Sequence, residues 1–350
     1  MRSPLFAFAL LLAGCTGSAA SPSPPVARTD VPPPPPPAKP VGWSHAYGTN
    51  LWPWAVAVGA DDRIAVIGWS GGTCDLGRFH LEVPREAGFL AWFDADGAVA
   101  GARTFTAAKP IDASIAVDAT GSIAIGGSVE SPLDLGDGVV AGDARSSSNG
   151  WVAKLDSKGR ALWARAFASI RHSHRIHDLA MGPDGGVVVA GLLGGVAGQI
   201  ALGDATLTGS AILSDAFVAS LDANGGARFF SLAGTPGTRD IDQHARDVVV
   251  ARSGEILVHG SHEVITDKGN TLGFDPAAYF QTFDSNGAAH PTRVVRAIDE
   301  AAVGHALALD SRGRVITVGA FKGTLDFGMG AMTTRPGRHE YTMFLAALVP

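Results

Sequence analysis

Two short stretches of this chain concentrate imidazole, guanidinium and carboxylate groups. They are Arg171-His172-Ser173-His174-Arg175-Ile176-His177-Asp178 and Arg239-Asp240-Ile241-Asp242-Gln243-His244-Ala245-Arg246-Asp247, and His305 follows after a further acidic pair, Asp299-Glu300. A carboxylate only accepts hydrogen bonds, a guanidinium only donates, and a neutral imidazole does one at each nitrogen. A surface that gathers all three can bind a small polar ligand. The candidate binding residues are therefore His172, His174, His177, Asp178, Asp242, His244, Arg246, Asp247 and His305. Imidazole with carboxylate is also a donor set for Zn, Cu or Ni, but the spacing matches no metal-ligand motif, so neither a metal nor a cofactor is expected. Two carboxylates across a cavity would suit glycoside hydrolysis, and Asp112, Asp178 and Asp247 are the candidates; the corresponding position near the start of the chain holds Trp54. Cys74 has no His or Lys next to it to lower its pKa, so it is not read as a nucleophile. Phosphate-loop and His-Glu-x-x-His patterns are absent.

The elements that must position these residues recur along the chain. One phrase, a β-rich run, a turn with Asp or Gly, and a second β-rich run closing on Gly, occurs at 58–68, 117–127, 181–191, 250–260 and 309–319. The closing glycines are spaced by 59, 64, 69 and 59 residues. A second phrase, led by an aromatic residue, keeps step: Phe89-Leu-Ala-Trp-Phe-Asp94, Trp151-Val-Ala-Lys-Leu-Asp156, Phe217-Val-Ala-Ser-Leu-Asp222, Tyr279-Phe-Gln-Thr-Phe-Asp284 and Phe344-Leu-Ala-Ala-Leu-Val349. A third, Leu/Phe-Gly, falls at 76–77, 135–136, 202–203, 272–273 and 327–328. Each copy then holds four short strands joined by Gly turns. Innermost strands are expected at 54–58, 113–117, 177–181, 246–250 and 305–309. Outermost strands are expected at 41–48, 99–106, 161–168, 227–233 and 290–296. Tandem four-stranded modules are the signature of a β-propeller. The fold class is all-β: five blades of four antiparallel strands, with the N-terminal strand 41–48 supplying the fourth strand of the last blade (a Velcro closure that removes two sheet edges). His177, Arg246 and His305 open their innermost strands in one aligned column, on the loop face near the axis.

Composition narrows the partners. The 350 residues carry a net charge of −6 and 45 glycines. No basic tract offers an electrostatic footprint for a phosphate backbone, so nucleic acid is not an expected partner. Of 21 prolines, 11 lie within residues 1–40. Residues 1–14 pair Arg2 with an apolar run, Leu5–Leu12, too short to cross a bilayer, which takes roughly 20 residues. Leu12-Ala13-Gly14-Cys15 resembles the lipobox of bacterial lipoprotein signal peptides. That resemblance implies cleavage before Cys15 and its lipidation, and several acyl chains on one residue anchor stably. Thr16, rather than Asp, after Cys15 implies the outer membrane on the same family's sorting logic. Residues 15–40, with Pro32–Pro37 unbroken, read as an extended polyproline II tether reaching up to roughly 75 Å.

The Asp-x-x-Gly-x-Ile/Val-x-Ile/Val-x-Gly phrases, and the aromatic-Val-Ala-Lys-Leu-Asp-x-x-Gly phrase at 151–159, resemble the SBBP-type bacterial β-propeller repeat. The resemblance spans 41–350, in copies of about 41–98, 99–160, 161–226, 227–288 and 289–350. Asp62 departs from it by standing where the other copies place a turn glycine. The repeated residues are turn and core residues, so the resemblance implies architecture and a surface-protein role, and no reaction. The expected function is binding or scaffolding in the cell envelope, with the membrane reached through the lipid anchor. The loop face would recognise a protein, peptide or saccharide. The alternative is a carbohydrate-active hydrolase with acids at the central cavity.

Overall fold

The computed structural model describes residues 45, 47, 51–59, 62–82, 87–105, 110–129, 133–136, 140–141, 149–171, 173–195, 198–209, 214–235, 241–267, 272–298, 302–309, 315–333 and 342–348. The compact unit runs Trp43–Pro350. Its described residues contain strands and no helix, and no helix among them is long and apolar enough to cross a membrane. The lipidation motif, the tether and most of the expected strand 41–48 lie outside the described residues.

Each repeat copy folds into its own antiparallel sheet, with strands in sequence order from inner to outer. The first sheet is Leu51–Val58, Ile64–Ser70, Ala87–Phe93 and Val99–Phe105; the second is Pro110–Val117, Ile123–Val129, Asn149–Leu155 and Ala161–Arg171. The third is His174–Met181, Val187–Gly194, Ser214–Leu221 and Ala227–Ala233; the fourth is Ile241–Val250, Ile256–Asp267, Leu272–Phe283 and Arg293–Val295. The fifth holds three described strands, Ala302–Leu309, Val315–Phe321 and Thr342–Leu348. Successive inner strands are neighbours from the first sheet to the fifth.

The two repeated phrases prove to be one packing unit. Each closing glycine pairs with the leading aromatic of the next strand: Gly68 with Phe89, Gly127 with Trp151, Gly191 with Phe217, Gly260 with Tyr279 and Gly319 with Phe344. All five aromatics are buried. A Cβ at Gly191 would overlap the carbonyl oxygen of Arg175 on one side and press on the Phe217 ring on the other. Only glycine lets the inner strand and the ring close on the same spot.

The Leu/Phe-Gly phrase marks a feature absent from the four-strand expectation. In the first copy it forms the turn of an extra small hairpin between second and third strands, Cys74–Leu76 with Phe79–Leu81, whereas in the fourth copy Leu272 and Gly273 pair within the third strand itself. Gly77 and Gly203 take a φ of 60° at their hairpin turns, a left-handed value that favours glycine. In the third copy this hairpin, Gln199–Leu202 with Ala205–Thr208, pairs with the outer strand of the second sheet, which runs on to Arg171.

The outer strands of the first and second sheets tie to the turn of the next sheet. Arg103 donates to Gly159 O at 2.6 Å, and Arg165 Nε donates to Gly225 O at 2.8 Å. The first sheet receives the same contact from before its own first strand: Tyr47 Oη donates to Gly97 O at 2.6 Å, and His45 Nε2 lies 3.1 Å from Asp96 O.

Candidate functional site

The inner strands of the first, third, fourth and fifth sheets each carry a β-bulge next to the residue that pairs with the closing glycine. The bulged residues are Trp54, His177, Arg246 and His305, the aligned column expected from sequence. In the second sheet the irregularity falls earlier, at Ile111, and Ala113 pairs with Gly127 instead. A bulge turns a side chain out of the pleat. Here it re-aims the residues at the N-terminal ends of the inner strands.

Between the second, third and fourth sheets this produces a polar row. Asp112 Oδ2 lies 3.9 Å from His177 Nδ1. The His177 ring stacks on His244, centroids 5.9 Å apart and planes 17° from parallel. His244 Nε2 contacts Asp242 Oδ2 at 3.3 Å. Burial, then Arg246, His244 and Arg175, push the His177 imidazole down to about 3. His177 is therefore neutral at physiological pH, and its approach to Asp112 is not an ion pair. Burial raises the Asp112 carboxyl against the pull of Arg175 and Arg246. Burial is the largest influence on Asp242 and acts to raise it, but His244, through its hydrogen bond and its charge, together with Ser214 and Arg246, holds the carboxyl below its ordinary value. Arg246 is braced by a 3.3 Å hydrogen bond from Nε to Ser261 Oγ. Four buried atoms of the row, Asp112 Oδ2, His177 Nε2, Asp242 Oδ1 and His244 Nδ1, have no hydrogen-bond partner among the described residues.

Asp178 and Asp247 lie one residue beyond their bulges and do something different. Ser114 Oγ donates to Asp178 Oδ1 at 2.6 Å, and Val248 N–H donates to Asp178 Oδ2 at 3.0 Å. Leu307 N–H donates to Asp247 Oδ2 at 2.8 Å. The two carboxyls also hydrogen-bond to each other. Burial, reinforced by the neighbouring Asp178, drives Asp247 up to about 8, and burial raises Asp178 as well. The pair shares a proton at neutral pH, as two carboxyls in contact must. Glycoside hydrolysis requires the carboxyls about 5 Å apart or more, with room for sugar or water between them. This pair is in direct contact and committed to backbone donors of neighbouring strands, which is the geometry of a clamp between sheets. Ser114, which sequence reasoning missed, belongs to the same belt.

His174 is fully buried. Its Nε2 accepts the Gly150 N–H at 2.8 Å, and burial, opposed by a backbone hydrogen bond at Phe167, lowers it to about 4. It stitches the second and third sheets rather than lining the row. His172 lies outside the described residues, and only the strand position of His305 is described. Trp52 and Trp54 occupy the matching end of the first inner strand, 52% and 41% exposed. Among the described residues no group of three or more His, Cys, Asp or Glu side chains is placed to hold a metal ion.

A cavity of about 750 Å³ opens at the opposite, C-terminal ends of the inner strands, with Val117, Met181 and Val250 on its walls and Asp118, Lys154 and Arg252 among its polar residues. Lys154 donates to Gly185 O at 2.7 Å and lies 3.8 Å from Asp118 Oδ2, so its charge is already paired.

No family model matches the chain, and no curated protein does. Among solved structures it is similar to hydrazine synthase of Kuenenia stuttgartiensis, with 11% identity, a TM-score of 0.40, and coverage of 79% of this chain and 78% of that one. It is also similar to XC5397 of Xanthomonas campestris, described as a gluconolactonase, with 17% identity, a TM-score of 0.33, and coverage of 78% and 84%. A calcium-bound carbohydrate-active enzyme of family AA12 from Trichoderma reesei matches with 10% identity, a TM-score of 0.32, and coverage of 78% and 91%. At such TM-scores these likenesses transfer no activity to this chain.

Proposed function

We propose that this chain is a lipid-anchored binding protein of the bacterial cell envelope that captures a saccharide at the N-terminal ends of its inner strands. In this reading Cys15 carries the lipid in the outer membrane and residues 15–40 form the tether. Residues 41–350 form a five-bladed SBBP-type propeller whose strand 41–48 completes the last blade. The contacts of His45 and Tyr47 with the first sheet support that closure, because they repeat what the outer strands of the first and second sheets do to the following sheet.

The observation that carries the ligand class is the set of four buried atoms without a partner among the described residues, Asp112 Oδ2, His177 Nε2, Asp242 Oδ1 and His244 Nδ1. Leaving such atoms unmet costs about 1–3 kcal/mol each, so a ligand that meets them gains correspondingly. The carboxylates need donors, while an imidazole nitrogen donates or accepts according to whether it carries a hydrogen. Hydroxyl groups supply both roles from one atom. An anionic ligand would meet Asp112 and Asp242. Two exposed tryptophans at the same level offer the flat apolar faces that suit a sugar ring. A protein or peptide partner would be recognised over a wider surface, and no observation singles one out.

The test is a glycan array probed with the full chain extracted in detergent, beside Trp54→Ala and His177→Ala. Retention of a saccharide by the wild-type chain, and its loss in both variants, is expected. The anchor is tested by fractionation: Cys15→Ala should leave the membrane fraction, and a variant still partitioning there contradicts the lipid assignment.

A further inference from the structure

The junctions between successive sheets are built from one repeated set of three side chains. In the first junction Ala65 and Leu90 pack with Ile115 of the next inner strand. In the second, Ala124 and Val152 pack with Leu179. In the third, Val188 and Val218 pack with Val248, and in the fourth Leu257 and Phe280 pack with Leu307. The pairing registers make these positions equivalent, because 65, 124, 188 and 257 face 92, 154, 220 and 282 on their third strands, and 90, 152, 218 and 280 follow the leading aromatic each time. The third-strand member is 0% exposed at Leu90, Val152 and Val218 and 6% at Phe280.

Continuing the register one step gives Ile316 and Leu345 on the fifth sheet. The next inner strand in that sequence is the first, whose equivalent of Ile115, Leu179, Val248 and Leu307 is Val56. Of these, Ile316 is half-buried, while Leu345 is 64% exposed and Val56 63%, with Val58 beside it 59%. Two half-joints of complementary type stand open, one at each end of the row of sheets. His45 and Tyr47 approach the first sheet from the place where a preceding sheet's outer strand would lie, so a preceding sheet is called for.

We propose that Val56 seats against Leu345 and Ile316 of the same chain, so that the fifth sheet covers the first by the packing used at the other four junctions. The seam rests on the closed-ring reading above and gives it atoms. It is an apolar joint, with Ala306 and Ala55 in the positions that hold Asp178 and Asp247 elsewhere. It also brings Trp54 into the same circle of bulged residues as His177 and Arg246, so that the tryptophan and the polar row face one mouth.

The test is crosslinking of the full chain in a Cys74→Ser background with a short bis-maleimide. Val56→Cys/Leu345→Cys is the probe pair, and Val152→Cys/Leu179→Cys across an existing junction is the control. The expected result is a crosslinked monomer of single-chain mass for both pairs, with comparable yield, and no product from either single-cysteine variant. A dimer from the probe pair would show that a second copy fills the half-joint. No product while the control reacts would show that the faces do not meet. Either result overturns the proposal. Saccharide retention, measured separately on uncrosslinked protein, keeps failure of the seam distinct from failure of the ligand reading.

Discussion

The junction between the first and second sheets and those that follow it solve one problem in two ways. From the second sheet onward, an inner-strand side chain reaches across to the next inner strand: Ser114 Oγ accepts from Leu179 N–H at 3.4 Å, Asp178 from Val248 N–H at 3.0 Å, and Asp247 from Leu307 N–H at 2.8 Å. At the first junction the equivalent residue is Ala55, which packs in the same cluster as Ile115 and accepts nothing. A buried carboxyl is expensive unless it is paired and hydrogen-bonded. The polar joints meet that demand by sharing a proton and taking backbone donors. They therefore fix the register between strands, and they make it pH-dependent. The apolar joint does neither.

The largest expected effects come from the apolar triads. Leu90→Ala should cost about 3 kcal/mol, the usual range for a buried Leu truncation, read as a fall in the urea midpoint. Leu345→Ala discriminates the closed seam from an open face, since a packed seam predicts a loss of the same order and an exposed face predicts almost none. Next comes Asp178→Ala, which orphans Val248 N–H and Ser114 and leaves Asp247 without its proton partner. A loss of about 3 kcal/mol is expected.

Asp247 gives stability a component that falls as pH rises. Its folded pKa, about 8, lies above the ordinary carboxylate value of 3.8. The folded chain therefore holds a proton that the unfolded chain releases between those two values. Its contribution to stability is full below pH 4, falls as pH rises towards 8, and levels off above it; His174 and His177, at about 4 and about 3, contribute with the opposite sign as pH rises towards the ordinary imidazole value of 6.5. The slope is at most about 1.4 kcal/mol per pH unit for one proton. Asp247→Asn, which keeps an acceptor for Leu307 and a donor for Asp178, should flatten that slope in denaturation curves at pH 5, 6, 7 and 8. The smallest effect is expected from Ser114→Ala, about 1 kcal/mol, because its removal deletes one short hydrogen bond and one long one. Equal losses for Ser114→Ala and Asp178→Ala would break the distinction between the carboxyl clamp and its hydroxyl end.

Much of this architecture was legible in the sequence because it is local and repeated. The closing glycines and leading aromatics recur in phase since each pair is in contact, so a contact became a spacing. The column of His177, Arg246 and His305 was legible for the same reason. The roles of Asp178 and Asp247 were not. Their partners, Val248 N–H and Leu307 N–H, lie 70 and 60 residues away and are backbone groups, which leave no residue type to read. His174 looked like its neighbours in the His-rich stretch, yet its strand position points it inward to Gly150. The hairpins marked by Leu/Phe-Gly were too short to show a strand period. Asp112 was noticed only as an acid, and its place in the row depends on a bulge shifted to Ile111.

The measurement that bears most directly on the function is saccharide binding by the full chain on a glycan array, compared with Trp54→Ala and His177→Ala of unchanged urea midpoint. The account predicts a defined glycan retained by the wild-type chain, with affinity reduced about tenfold or more, roughly 1.4 kcal/mol, in each variant. Wild-type protein that retains no glycan, or variants that bind as the wild type does, would contradict it.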